Sequence, residues 1–137
     1  MRLNSDCIRD ILLTVEEKSD FYHYVEYKKD KPVHKRLEKY THDEIVYHIN
    51  QCDLSELLIG VEHCDGSTVI FIRDLSPEGH EFLANIRQDN IWNGVKSVAK
   101  KVGSTSLSAL VEISSNVISE IIKAQFGIGG VFPQLIP

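Results

Sequence analysis

Apolar positions near the N-terminus recur at helical intervals and predict an amphipathic helix over residues 4–18. The stripe consists of Ile8, Ile11, Leu12 and Val15. Asn4 is suited to cap this helix. Residues 21–27 are instead aromatic and β-branched, which predicts a strand. Pro32 disfavours a long helix after it, so we expect residues 28–40 to connect the elements with at most a short strand or helical turn.

A second helix is predicted from residue 41 to about residue 53. Thr41 and Glu44 fit a capping box, in which the hydroxyl accepts from a first-turn N–H and the glutamate reaches back. The apolar stripe behind this cap contains Ile45, Val46, Ile49 and Cys52. Leu54, Leu57, Leu58 and Ile59 are expected to continue that stripe into a turn and a strand.

An antiparallel hairpin is predicted over residues 58–73. Two apolar segments, 58–63 and 68–73, flank Asp65-Gly66, a strong signal for a two-residue turn because both residue types tolerate positive φ. The centre of the second segment is apolar on both faces. We therefore expect one face to pack on the helices and the other to need a cover.

Three further helices are predicted in the C-terminal half. Ser76, Pro77 and an acidic first turn begin one of them. A second includes Trp92 and ends at Gly103, and Ser104 or Ser106 caps the last. The apolar stripe of this last helix contains Leu107, Leu110, Val111, Val117, Ile118, Ile121 and Ile122. The apolar tail, residues 127–137, has no periodicity.

Composition indicates one ordinary globular domain of 137 residues, with 42% hydrophobic and 26% charged residues. No apolar run approaches the roughly 20 residues that cross a bilayer, and no secretory signal is evident, so we expect a cytoplasmic protein without membrane association. Three cysteines suit a reducing compartment, and Cys7 and Cys52 are interpreted as buried.

The net charge of −5 does not favour nucleic acid, but its distribution is uneven. Residues 28–39 contain six basic and two acidic side chains. Such a patch can steer a polyanion, although a solvated loop explains it as well.

Helix, strand, capped helix, tight hairpin and helix is the order of a winged helix in which one helix is weak or missing. The segment from Leu75 through Ser76 and Gly79 to Leu83 resembles the phrase that closes the wing in such regulators. The chain resembles the often prophage-encoded family catalogued as domain of unknown function 2513, notably over residues 2–10, 40–50, 75–87, 91–92 and 103–104. The predicted fold is therefore α+β, a winged helix-turn-helix-like domain over residues 1–88 with a helical C-terminal extension over residues 89–137.

No enzyme motif is evident, so we predict neither catalysis nor a cofactor. His80-Glu81 lacks the second histidine of a zinc protease, and the glycines at 127–130 follow a helix rather than a strand. A metal set of His48, Cys52, His63 and Cys64 would match no familiar zinc spacing. Core cysteines and surface histidines are the favoured interpretation, and no metal is predicted.

Two function classes remain open. In the first, the helix over residues 41–51 reads double-stranded DNA, and the hairpin turn approaches the backbone. The candidate contact residues are Lys35, Arg36, His42, Tyr47, Asn50, Gln51 and Ser67. In the second, the domain has lost DNA binding and serves as a protein-interaction or assembly module. The apolar stripe of the last helix also predicts a homodimer built on residues 104–136.

Overall fold

The computed structural model describes residues 1–31 and 34–126, and these form a mixed α+β protein. The chain divides into two compact units, Met1–Ala84 and Asn85–Pro137. Each unit is described by itself below. Within the described residues, no helix combines the length and the hydropathy that a bilayer crossing requires.

Two helices and a short turn form the helical layer of the first unit. Helix α1 spans Ser5–Lys18, and the Asn4 side chain accepts from the N–H groups of Asp6 and Cys7, which confirms the predicted cap. A single 3-10 turn follows at Lys35–Leu37. Helix α2 spans His42–Leu54, and its capping box is present as predicted.

The first unit also contains a three-stranded antiparallel sheet, in which residues 69–72 form the middle strand between residues 25–28 and residues 62–64. Strand β1 spans Val25–Lys28, β3 spans Glu62–Cys64, and β4 spans Val69–Ile72. Val25 faces Ile72 across the β1–β4 ladder. The core-facing residues of β1 and β4 are Val25, Tyr27, Ile70 and Ile72.

The predicted hairpin is present, but it is interrupted in the middle. Strand β2 (Leu58–Ile59) pairs with β5 (Asp74–Leu75) in the register that the β3–β4 ladder would have if it continued. The gap falls at Gly60, whose φ is +64° and where a Cβ would lie 2.6 Å from the Cβ of Arg73. The hairpin therefore bends at a glycine that lets the two chains approach closely.

The hairpin turn is shifted by one residue from its predicted position. Thr68 donates its N–H to the Asp65 carbonyl at 3.2 Å, so the central residues are Gly66 and Ser67 instead of Asp65 and Gly66. Their φ angles are +64° and +69°, as a turn with two left-handed central residues requires. The prediction was right about the hairpin and wrong about its centre.

The predicted strand over residues 21–27 was wrong in its first half. The Asp20 carboxylate accepts from the N–H groups of Tyr22 and His23, at 2.7 and 2.8 Å. This local ring turns the chain before β1 begins at Val25, and the rings of Phe21 and Tyr22 stay 85% and 84% exposed. The local hydrogen bonds of the Asp20 carboxylate therefore outweigh the β propensity of the residues that follow it.

Helix α3 (Pro77–Ile86) runs through the division between the units. In the second unit, α4 (Asp89–Val102) ends at Gly103, whose φ of +73° makes it the predicted C-cap. Helix α5 spans Leu107–Gln125, and Ser106 is its N-cap. Its stripe is only partly buried, because Ile121 and Ile122 are exposed. The predicted apolar tail lies outside the described residues.

Candidate functional site

The inner face of α2 is fixed by a buried histidine. Nε2 of His48 accepts from the N–H of Asn4 at 2.7 Å, and Nδ1 donates to the Glu44 carbonyl at 2.7 Å. A carbonyl can only accept, so the proton sits on Nδ1 and the lone pair on Nε2. The side chain is buried, so the expectation of a surface histidine at this position was wrong. This bond ties the cap residue of α1 to α2.

The outer face of α2 carries Asp43, Tyr47, Asn50 and Leu54, which recur at helical spacing. Leu54 is 77% exposed, although its predicted place was on the apolar stripe. Position 54 follows Ile45 by nine residues, which is two and a half turns, so it points to the opposite side. We call these four residues, together with the exposed Asp53, the acidic face.

The acidic face belongs to a segment without cations. From His42 to Ile72 the sequence contains no lysine or arginine. Six carboxylates lie in this segment: Asp43, Glu44, Asp53, Glu56, Glu62 and Asp65. All of them except the capping residue Glu44 are exposed. The first unit as a whole contains seventeen acidic and ten basic residues, which gives it a net charge of −7.

The two predicted phosphate-binding cations lie beside α1. The Arg36 guanidinium binds the Glu17 carboxylate, and this hydrogen bond lowers the pKa of Glu17 below its usual value. Lys35 and Arg36 line a groove whose other lining residues are Thr14, Glu17, Lys18 and His34. None of the predicted α2 residues lines that groove, so the structure does not bring these cations to the acidic face.

Different cations lie near the hairpin turn. The backbone N–H of Lys29 donates to the Thr68 carbonyl at 2.8 Å, which places the main chain of Lys29 next to the predicted residue Ser67. Tyr27, within β1, contacts His42 at the start of α2. Its hydroxyl lies 2.7 Å from Nδ1 of His42, and the two rings stack with centroids 5.6 Å apart. The end of β1 thus links His42 to the turn that contains Ser67.

The remaining predicted contact residues are spread along the surface of α2. The Tyr47 ring packs edge-on against His48, with ring centroids 5.1 Å apart. Asn50 and Gln51 are half-buried. Ser67 hydrogen-bonds His63 through its hydroxyl at 3.0 Å. These residues do not converge on one pocket.

The family model described as "Hypothetical protein (DUF2513)" matches residues 2–106, which is most of the chain. The chain belongs to the DUF2513 family. A relative described as "Uncharacterized protein" from Haemophilus influenzae is 27% identical over 124 residues, covering 89% of this chain and 99% of the relative. No solved structure matches the chain.

Sequence reasoning missed several structural neighbours in this DUF2513 member. Tyr27 was assigned only to a strand, and its pairing with His42 depends on a tertiary contact. His34, within the predicted connection, is buried and bonds the Glu26 carbonyl at 2.7 Å. Helical periodicity would have predicted the exposure of Leu54 if the apolar stripe had been ended at Cys52.

Neither metal binding nor thiol chemistry marks a site in the part of the DUF2513 chain that the structure describes. No group of three or more potential ligands is present in residues 1–31 and 34–126. All three cysteines are free, and Cys7 and Cys52 are buried as predicted. Burial raises the pKa of the Cys7 thiol to about 12, so this sulfur is a poor nucleophile at neutral pH.

Proposed function

We propose that the first unit is a winged-helix-like binding module without catalytic activity, and that its partner is a protein. The strand order β1-β4-β3 supports the winged-helix assignment, as does the position of a capped α2 directly before the hairpin. The 3-10 turn at Lys35–Leu37 stands where the weak helix is expected. Three free thiols suit a reducing compartment, so we propose the cytoplasm as its location.

We choose a protein partner over DNA because residues 42–72 contain no lysine or arginine. Neutralising phosphates with lysine and arginine supplies most non-specific affinity for DNA. The helix and the hairpin carry five exposed carboxylates within residues 42–72, and Arg73 follows at the end of β4, so this segment is poorly suited to a phosphate backbone. The same charges favour a partner with a basic surface.

The apolar part of the acidic face indicates the shape of that partner. Leu54 is exposed at the end of α2, and Asn50 and Tyr47 lie about one and two turns before it. An exposed apolar side chain and a tyrosine on one helix face suit the core of a protein interface, where a polar rim surrounds the apolar contacts. We therefore propose a partner with an apolar cleft for Leu54 and lysine or arginine around it.

Double-stranded DNA is the second candidate partner, and the position of Lys28 and Lys29 beside the hairpin turn favours it. In that arrangement Ser67 and His42 would add polar contacts from the turn and from α2. The predicted base contacts would come from Tyr47, Asn50 and Gln51. Lys35 and Arg36 would then be the matched control, because they lie beside α1.

Fluorescence anisotropy with a random-sequence duplex discriminates the two partners. We expect no binding by micromolar protein at about 50 mM salt, because the acidic face repels phosphate. Binding that collapses at about 200 mM salt would contradict the protein-partner proposal. If Lys28→Gln with Lys29→Gln then weakened it more than Lys35→Gln with Arg36→Gln, DNA would be the better proposal.

We also propose a homodimer built on residues 104–136. In the described part of this segment, Leu107 and Leu110 are buried whereas Ile121 and Ile122, on the same helix, are exposed. Exposed apolar side chains at the end of a helix favour a two-fold contact with a second copy.

Sedimentation tests this dimer at tens of micromolar protein. The chain of 15.6 kDa should sediment at twice that mass, and Ile121→Asp with Ile122→Asp should return a folded monomer. Glu120→Gln with Lys123→Gln, on the same exposed turns, should leave the dimer intact. A monomeric unmodified chain would contradict the proposal.

A further inference from the structure

A cavity of about 370 Å³ lies between the end of β1, the 3-10 turn and the first turn of α2. Its polar lining in the described residues includes Tyr27, Lys29, Lys31, His34 and His42. This volume is at the lower end of the range for small-molecule pockets. The acidic face described above is on the outer side of α2 and does not line this cavity, so the inference is independent of the proposed function.

His34 has a buried nitrogen that lacks a hydrogen-bond partner in the described part of the chain. The side chain is only 7% exposed, and its Nε2 donates to the Glu26 carbonyl at 2.7 Å. Nδ1 is buried and has no hydrogen-bond partner among residues 1–31 and 34–126. Because Nε2 carries the proton, Nδ1 accepts in the neutral ring and donates in the imidazolium. Buried polar atoms are nearly always paired, so Nδ1 is suited to a hydrogen bond with a polar ligand.

The charges around the cavity select the chemistry of that group. Lys28 is paired with Glu26 at 3.1 Å, whereas Lys29 and Lys31 have no carboxylate within ion-pair distance in the described residues. Asp30 and Glu38 also line the cavity. The lysines and the imidazole nitrogen of this lining favour a ligand with anionic oxygens.

We propose that this cavity binds a small phosphate monoester. The three terminal oxygens of a monoester can meet Lys29, Lys31 and His34 from three directions, one oxygen for each group. A monoester also exists singly and doubly charged near neutral pH, so it can donate to a neutral Nδ1 or accept from an imidazolium. The hydrogen-bonded pair of Tyr27 and His42 supplies further polar groups in the lining.

Nitrogen-15 NMR of the whole chain tests the site directly. Glycerol 1-phosphate is the probe, with inorganic phosphate as a second anion and sodium chloride at matched ionic strength as the control. We expect the probe to cause saturable chemical-shift changes, including a change at Nδ1 of His34. That change would report a new hydrogen bond to this nitrogen. No saturation at millimolar probe, or shifts that exclude His34, would overturn the proposal.

Three variants separate this site from general charge effects. His34→Gln keeps a donor for the Glu26 carbonyl but removes Nδ1, and should weaken the monoester about tenfold. Lys29→Gln with Lys31→Gln changes exposed residues and should weaken it at least as much. Lys100→Gln, an exposed change on α4, should not change affinity. Equal weakening by Lys100→Gln, or unchanged affinity in His34→Gln, would contradict the site.

A short duplex DNA forms the last arm of the experiment. If the duplex shifts the same resonances at lower concentration than glycerol 1-phosphate, the lysines contact a nucleic-acid backbone and the small-ligand proposal is overturned. If the duplex leaves the His34 resonance unchanged while the monoester shifts it, the cavity is specific for a small phosphate ester.

Discussion

At the residue scale, the folded structure raises the pKa of two buried thiols and of one half-buried phenol near α1 and α2. Cys7 and Cys52 are fully buried on the facing sides of α1 and α2. Burial raises the pKa of both thiols, for Cys7 from 9.0 to about 12. Burial and a hydrogen bond to the Asp10 carboxylate, 2.6 Å away, also raise the pKa of Tyr40. All three groups are therefore held in their protonated forms.

We predict a loss of stability in alkali from this setting. In the unfolded chain Cys7 ionises near pH 9, whereas in the folded protein it stays protonated to about pH 12. The unfolded state therefore gains stability as pH rises through this window, and nothing is lost below pH 9. Urea unfolding midpoints at about pH 8 and pH 10.5 measure the effect.

The variants for this test follow from burial. The combined Cys7→Ala and Cys52→Ala variant should show a smaller alkaline loss, whatever its stability at pH 8. Cys64→Ala changes a thiol that is partly exposed and should keep the loss of the unmodified chain. An alkaline loss of the same size in all three proteins would refute this origin.

At the element scale, the first turn of α3 depends on Ser76 and Gly79, two residues of the segment that resembles the closing phrase of a wing. The Ser76 hydroxyl accepts from the Gly79 N–H at 3.0 Å and donates to the Glu56 carbonyl at 2.5 Å. A Cβ on Gly79 would lie 2.1 Å from the Leu57 carbonyl oxygen. The serine and glycine of this phrase therefore let the first turn of α3 pack directly on the backbone before β2.

Two glycine substitutions test this packing. Gly79→Ala should destabilise the protein by about 3 kcal/mol or more, because the backbone of Leu57 must move. Gly94→Ala, in α4 with open space around it, should stabilise by about 1 kcal/mol through helix propensity. Urea unfolding measures both, and equal midpoints for the two variants would contradict the close approach.

Elements with strong local signals could be predicted from the sequence. The caps at Asn4, Thr41 and Gly103 depend on residues within one helical turn, and all three were confirmed. The start of β1 could not be predicted, because the Asp20 carboxylate competes with β propensity over residues 21–24. The hairpin centre was missed by one residue, since register depends on cross-strand pairing.

At the scale of the whole molecule, the two units differ in net charge. The first carries a net charge of −7, whereas the second has five basic and three acidic residues. The sequence predicted a basic patch at residues 28–39, but its cations are divided in the structure. Arg36 pairs with α1, whereas Lys29 lies at the hairpin turn. Such a division depends on tertiary contacts, which is why the candidate site could not be read from local charge.

The most direct test of the proposed protein partner is photo-crosslinking in the native cells. A photoreactive amino acid replaces Asn50 on the acidic face, or Glu81, an exposed control position on α3. We predict one protease-sensitive, nuclease-resistant adduct at position 50 that is absent at position 81. The purified adduct partner should bind the unmodified chain at least about tenfold more tightly than Leu54→Asp. A nuclease-sensitive adduct at position 50, or the same adduct at both positions, would contradict the proposed protein partner.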